Sequence, residues 1–371
     1  MVRLRDLELE DEVGQLFWIG FEGAVFGPAL QRLVRLIRPG GLILFSRNIG
    51  EARQVRALTD DLFRSIGVPP FLAVDQEGGR VNRLLPILGP TPSNHWLAGL
   101  PNPSAAVRTH ARAIATALRA LGFSVNFAPV LDLSGPDPKN GIGDRAFADE
   151  AARVVELASV HAREHLQAGI LPVGKHFPGL GSATADTHLT LPVIRRSRSL
   201  LLRHDLQPYR RLRRLLPIVM VGHAYYPALQ GRRPRPATLS PVVVEGLLRK
   251  RIDHRGLILT DDLEMGALDQ SLDGAGLARA ALMAGSDGLM FCRTEERIVA
   301  AREGLLRAIH DREIDRARIG RSVRRILRLK SRSLSARHRG RFSAGAIARA
   351  RLLLESLEGP ASLGADPTAR P

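Results

Sequence analysis

Ile170-Leu171-Pro172-Val173-Gly174-Lys175-His176 runs from a short apolar stretch into a cation and an imidazole. The first five residues predict a buried strand, Ile170–Gly174, with two polar side chains directly after it. The same order recurs on both sides. Gln15–Phe21, Gly41–Phe45, Pro70–Val74 and Ser124–Val130 precede it, and Pro217–Val221, Gly256–Leu259 and Asp287–Phe291 follow it. Amphipathic segments lie between, at Ala29–Ile37, Ala52–Ser65, Ala105–Leu121, Ala148–Ala168 and Gly274–Ala284. Eight strands alternating with helices between residues 15 and 291 predict an α/β fold, a (β/α)8 TIM-type barrel forming a single catalytic domain. An open doubly wound sheet is the competing arrangement. The first strand is not followed by the glycine-rich phosphate-binding turn of a dinucleotide fold.

Polar residues gather at one end of these strands. Asp75-Gln76-Glu77-Gly78-Gly79-Arg80 follows the third, Asp132 the fourth, Lys175-His176 the fifth, His223 the sixth and Asp261-Asp262 the seventh. Any one could cap a helix. Together they match the way barrels assemble active sites at the C-terminal ends of their strands, where buried charge is costly unless paired or used. After about residue 330 the composition turns to Ser, Arg, Ala and Gly. The expected organisation is a barrel over 1–330, then 331–371 as a last helix, Ser343–Leu357, and a disordered basic tail.

The chain has 371 residues, enough for one large α/β domain. No apolar run approaches the roughly 20 residues of a membrane span. Met1-Val2-Arg3-Leu4-Arg5-Asp6 does not resemble a secretory signal, and the single cysteine, Cys292, excludes an internal disulfide. A cytoplasmic protein is expected. The formal charge is +17, which invites a nucleic-acid reading. However, the arginines are spread along the chain, and with 5% aromatic residues there are few stacking platforms for single strands. An arginine-rich but otherwise ordinary surface, with no specific nucleic-acid partner, is the preferred reading.

Three constellations carry possible chemistry. His161-Ala162-Arg163-Glu164-His165 has the H-x-x-E-H spacing of some zinc peptidases, but it falls on an outer helix without an evident third ligand, so a solvated helix face is expected there. Asp186-Thr187-His188 sits in a loop after the fifth strand. Its carboxylate could hold one imidazole nitrogen and favour the protonated ring, or cap a turn. Asp261, in Thr260-Asp261-Asp262-Leu263-Glu264-Met265, could be a nucleophile, a metal ligand or a helix cap, and Asp262 is the easier cap.

Taken together the motifs resemble glycoside hydrolase family 3, and within it the single-domain bacterial β-N-acetylhexosaminidases. Lys175-His176-Phe177-Pro178-Gly179-Leu180-Gly181, Asp186-Thr187-His188 and Leu191-Pro192 are similar to the family's long signature. Thr260-Asp261-Asp262-Leu263-Glu264-Met265 is similar to its nucleophile motif. Gly41–Asn48, Val74–Val81, Asn126–Asp132 and Gly143–Phe147 match further blocks in order, from about residue 12 to 330.

The resemblance implies Asp261 as nucleophile and His188 as general acid/base, paired with Asp186. It implies Asp75 as a ligand of sugar hydroxyls, with Arg83, Arg145, Lys175 and His176 lining the same subsite and His223 and Met265 beside it. It implies no metal and no organic cofactor, and a monomer is expected. The expected reaction is retaining hydrolysis of terminal β-linked N-acetylglucosamine, with peptidoglycan turnover fragments or chitooligosaccharides as substrates. Leu180 departs from the family's usual histidine, and Thr187 from the commoner serine. Phosphorolysis of N-acetylglucosaminides, another β-glycosidase activity of the family, and a basic binding protein with a decayed site are the alternatives.

Overall fold

Trp18 organises the inside of the molecule. It lies on the first strand, stacks on Phe71 with ring centroids 5.2 Å apart, and meets Phe127 at a tilt with centroids 6.2 Å apart. The two strands beside it each present a glycine. A Cβ on Gly41 would stand 2.5 Å from the Trp18 ring, and one on Gly288 2.8 Å from its Nε1, so only glycine leaves room for the indole. Large and small residues thus alternate around the wall, and side chains rather than a channel fill the interior.

The computed structural model describes residues 3–135, 141–183, 190–268, 272–334 and 340–357. Its centre is a closed barrel of eight parallel strands in chain order. These are β1 (Phe17–Ile19), β2 (Gly41–Leu44), β3 (Phe71–Val74), β4 (Val125–Asn126), β5 (Leu171–Phe177), β6 (Ile218–Val221), β7 (Leu257–Asp262) and β8 (Gly288–Phe291). β8 pairs with β1 through Phe17–Leu289 and Ile19–Phe291 and closes the ring. The expected fold class is the observed one.

The helices form where the pattern places them. Pro28–Ile37, Ala52–Arg64, Pro103–Ala120, Ala151–Ala168 and Gly274–Ala284 all turn an apolar face to the barrel. Local chemistry sets their ends: Asn102 Oδ1 accepts from the Ala105 amide at 3.3 Å, and Asp273 Oδ1 from Gly276 at 2.7 Å. The helix begun at Arg316 continues past the expected boundary at 330 to Ser333. A further helix, Ala344–Glu355, buries Ile347, Ala350 and Leu354 and packs on the Pro103–Ala120 helix.

Strand ends differ from expectation in two ways. β4 ends at Asn126, three residues before Pro129, which has no N–H to donate. The chain from Phe127 nevertheless keeps beside β5, with the Val173 amide on the Ala128 carbonyl at 2.8 Å and the Leu131 amide on the Lys175 carbonyl at 2.7 Å. In contrast, β5 and β7 are longer than expected. Lys175-His176 and Asp261-Asp262 lie within the strands rather than after them, so the barrel wall itself fixes their backbones.

Candidate active site

After β3 the chain turns into a small hairpin, Gln76–Gly78 paired with Val81–Asn82. Alternation along an extended segment puts Asp75 and Glu77 on one side. Both meet Lys175 from β5: its Nζ donates to Asp75 Oδ1 at 2.5 Å and lies 2.6 Å from Glu77 Oε1. Arg145 completes the group with a two-pronged contact, Nε and Nη2 each 2.9 Å from a Glu77 oxygen. Burial alone would raise the Glu77 carboxyl. The charges of Arg145 and Lys175 outweigh it and hold the group well below its ordinary range. Lys175, Glu77 and Arg145 are buried, whereas the Asp75 side chain keeps 15% of its surface open. Asp75 is therefore the member of this network that a ligand can reach.

Arg83 is also buried, 6.0 Å from the Phe45 ring centroid, and feels the charges of Asp75, Glu77 and Arg145. Desolvation lowers its pKa, and the two carboxylates oppose the shift. The structure thus brings Asp75, Arg83, Arg145 and Lys175 together.

His176 stands next to Lys175 on β5. Its Nδ1 and its backbone amide both face Asp132 Oδ2, at 2.7 and 3.1 Å. A carboxylate can only accept, so Nδ1 carries the proton of that contact. The other oxygen of Asp132 accepts the Leu180 amide at 2.7 Å. Leu180 therefore serves through its backbone, while its side chain is buried in the apolar cluster that holds Phe177, Tyr209 and Tyr226. A polar side chain at that position would have no reason to face the same way.

Asp261 lies half-buried near the end of β7, its Oδ1 accepting the Asp262 amide at 2.9 Å. Three contacts immobilise this strand end. His223 Nε2 donates to the Asp262 carbonyl at 2.8 Å from the β6 side. Thr260 Oγ1 accepts the Met290 amide at 2.9 Å from β8. Glu264 accepts the Arg293 amide at 2.7 Å. Met265 is buried in the turn that follows, its amide on the Asp262 carbonyl at 3.1 Å. No helix starts here, so Asp262 caps a turn instead: its Oδ1 accepts the Glu264 amide at 3.0 Å. Desolvation, with Glu264 and Asp261 adding, raises the Asp262 carboxyl to about 7. Below that pH it does not place a second negative charge beside Asp261.

Cys292, just past β8, links the two halves of the rim. Burial pushes its thiol well up, and the charges of Asp262, Glu264, Asp75 and Asp261 all add to the shift. The β3 and β7 carboxylates therefore share one field at one mouth of the barrel. Asp186 and His188 lie outside the described residues.

His161 and His165 do not form a solvated helix face. Both are buried, stacked with ring centroids 4.1 Å apart, and no group of residues able to hold a metal occurs among the described residues. Glu164, also buried, pairs instead with Arg108 and Arg112 at 3.4 and 3.1 Å. His165 supports the site from behind. Asn126 Nδ2 donates to its Nε2 at 3.0 Å, and the same amide holds both backbone groups of Gln76, at 3.0 and 2.9 Å. Gln76 is the residue between Asp75 and Glu77. Glu77 and Asn126 were not among the residues expected to act. The period-2 spacing of Asp75 and Glu77 is the signal that could have found the former.

The defining pattern of the Glycosyl hydrolase family 3 N terminal domain matches residues 8–329. A Beta-hexosaminidase of Alkalilimnicola ehrlichii is 39% identical over 291 residues, which is 76% of this chain and 82% of the relative. One of Methylococcus capsulatus is 40% identical over 278 residues, 72% and 79% of the two chains. Among solved structures, a glycoside hydrolase family 3 β-N-acetylglucosaminidase from Paenibacillus sp. superposes with a TM-score of 0.85 at 33% identity, over 95% of this chain and 68% of that one. With these likenesses running through the barrel and its charged rim, the chain belongs to glycosyl hydrolase family 3 and is a glycoside hydrolase.

Proposed function

We propose that the chain is a retaining β-N-acetylhexosaminidase that removes terminal β-linked N-acetylglucosamine. The observation that carries this reading is Asp261, half-buried at a rigid strand end and in one electrostatic field with Asp75. Its neighbour Asp262 keeps its proton up to about pH 7. Asp261 attacks the anomeric carbon as the bond to the leaving oxygen breaks, and protonated His188, oriented by Asp186, donates to that oxygen. A water molecule, giving its proton to the now neutral His188, then cleaves the glycosyl ester and frees Asp261. Asp75, fixed by Lys175, binds sugar hydroxyls, with Arg83, Arg145 and His176 around the same subsite. The names of the relatives support the N-acetylated sugar. Peptidoglycan turnover fragments are the natural source we propose for it.

The adjacent carboxylates give the test. Asp261→Asn should lower kcat on a chromogenic N-acetyl-β-glucosaminide by about three orders of magnitude or more. Asp262→Asn keeps an acceptor for the Glu264 amide and should stay within about tenfold of the parent. The reverse ranking would remove Asp261 as nucleophile. Equal kcat/KM on the plain glucoside, or a sugar phosphate as product when phosphate is added, would overturn the assigned reaction.

A further inference from the structure

The opposite mouth of the barrel holds a second concave site. A cavity of about 650 Å³ opens where β6 and β7 begin, with Pro217, Gly256 and Leu257 in its wall. These residues lie at the N-terminal ends of strands whose C-terminal ends carry His223 and Asp261, so this cavity is no subsite of the sugar pocket.

Its lining is strongly one-sided in charge. Arg213 and Arg214 come from the segment before β6, Arg255 from the turn before β7, and Arg325, Arg328 and Arg332 from the helix Arg316–Ser333. The last three follow a 3-4 spacing and share a helix face. Asp253 is the single acidic residue among the described residues of the wall, and it is already paired with Arg255 at 3.0 Å. Arg325 is committed to Asp287 at 2.9 Å. Arg214, Arg328 and Arg332 are exposed and form no ion pair with any described residue. Three parts of the chain, distant in sequence, therefore converge guanidinium groups on one hollow. Such a gathering repels itself unless an anion joins it.

The chemistry of the wall selects the ligand. Guanidinium forks match phosphate oxygens, and several forks around one hollow require several negative charges close together. The volume lies within the range of small-molecule sites, roughly 300–1,000 Å³. We propose that this cavity binds a small oligophosphate anion, either inorganic or the phosphate chain of a nucleotide, independently of the sugar site.

The experiment is calorimetric titration of the full-length protein with sodium tripolyphosphate at about 0.15 M salt, where exposed charges beyond about 8 Å are screened. A saturable one-site isotherm is expected. Replacing Arg214, Arg328 and Arg332 together by serine should weaken it at least about tenfold while leaving glycoside hydrolysis unchanged. A control that replaces the exposed and dispersed Arg32, Arg64 and Arg349 by serine removes the same charge and should bind as the parent does. Repeating the titration with adenosine triphosphate separates the sources: tighter binding than tripolyphosphate, lost in the same variant, assigns a nucleotide, and equal binding assigns the phosphate chain alone. The proposal falls if no saturable binding is seen, or if both triple variants weaken equally, since the effect then belongs to the whole surface. It also falls if duplex DNA or phosphatidylglycerol vesicles bind at these arginines and tripolyphosphate does not.

Discussion

Glu77 shows how much one residue can hold. It is a buried carboxylate that meets two buried cations, so its loss would leave Arg145 without its carboxylate partner and Lys175 with Asp75 alone. Glu77→Gln should cost about 3–5 kcal/mol of stability, as is typical when one partner of a buried pair is removed. Chemical denaturation at pH 7 measures it, and a loss below about 1 kcal/mol would show that the network contributes little. The sign with pH follows from its depressed pKa. The stabilisation is complete above the ordinary glutamate range and fades as pH falls below it, because the unfolded chain takes up the proton first. In the variant this part of the acid sensitivity should vanish. The role of Glu77 was legible in principle from its spacing to Asp75. Its partners were not, since Lys175 and Arg145 are distant in sequence and only barrel closure brings them together. At Leu180, which departs from the family's usual histidine, the contact with Asp132 is made by a backbone amide, which sequence cannot weigh.

Elements were legible where hydrophobic pattern decides, and less so where hydrogen bonding does. All eight strands form at the expected runs because each must be apolar on both faces. Their ends were missed at β4, β5 and β7, where a proline and two polar pairs obscure the apolar limit. The helix Ala151–Ala168 was misread on one face. His161 and His165 continue the row begun by Val154, Leu157 and Ala158, and this apolar stripe points them inward. They meet His110 of the Pro103–Ala120 helix, whose Nε2 would lie 2.8 Å from a Cβ on Gly78, the glycine after Glu77. Burial pushes His110 down to about 3 and His165 to about 4, and drives His161 well below its ordinary value. Neutral imidazoles are thus favoured by folding. Their stabilisation is intact above about pH 6.5 and is lost as pH falls toward the depressed values, at up to roughly 1.4 kcal/mol per histidine per pH unit. His110→Leu should flatten the decline in denaturation free energy between pH 7 and 5 relative to the parent. An unchanged slope would mean that His110 does not titrate on unfolding.

For the whole molecule, the C-terminal helix Ala344–Glu355 is part of the fold and not an appendage. Ile347 and Leu354 are buried in the same core as the barrel strands, at about 2 kcal/mol each. A chain ending at Leu334 should therefore melt several degrees lower while hydrolysing substrate normally at 25 °C, because the helix docks on the outer layer, on the Pro103–Ala120 helix. An unchanged melting temperature would show that this packing adds nothing. The interior offers a way to follow such changes. The chain has two tryptophans, Trp18 and Trp96. The Trp18 indole is fully buried among aromatic rings and its Nε1 has no hydrogen-bond partner among the described residues, so an excited ring there finds no mobile dipoles to relax against. Its light should emerge at short wavelength and move to the red only when water enters the barrel. With Trp96 replaced by Phe, the colour of a single indole becomes an optical gauge of whether the ring of strands is closed.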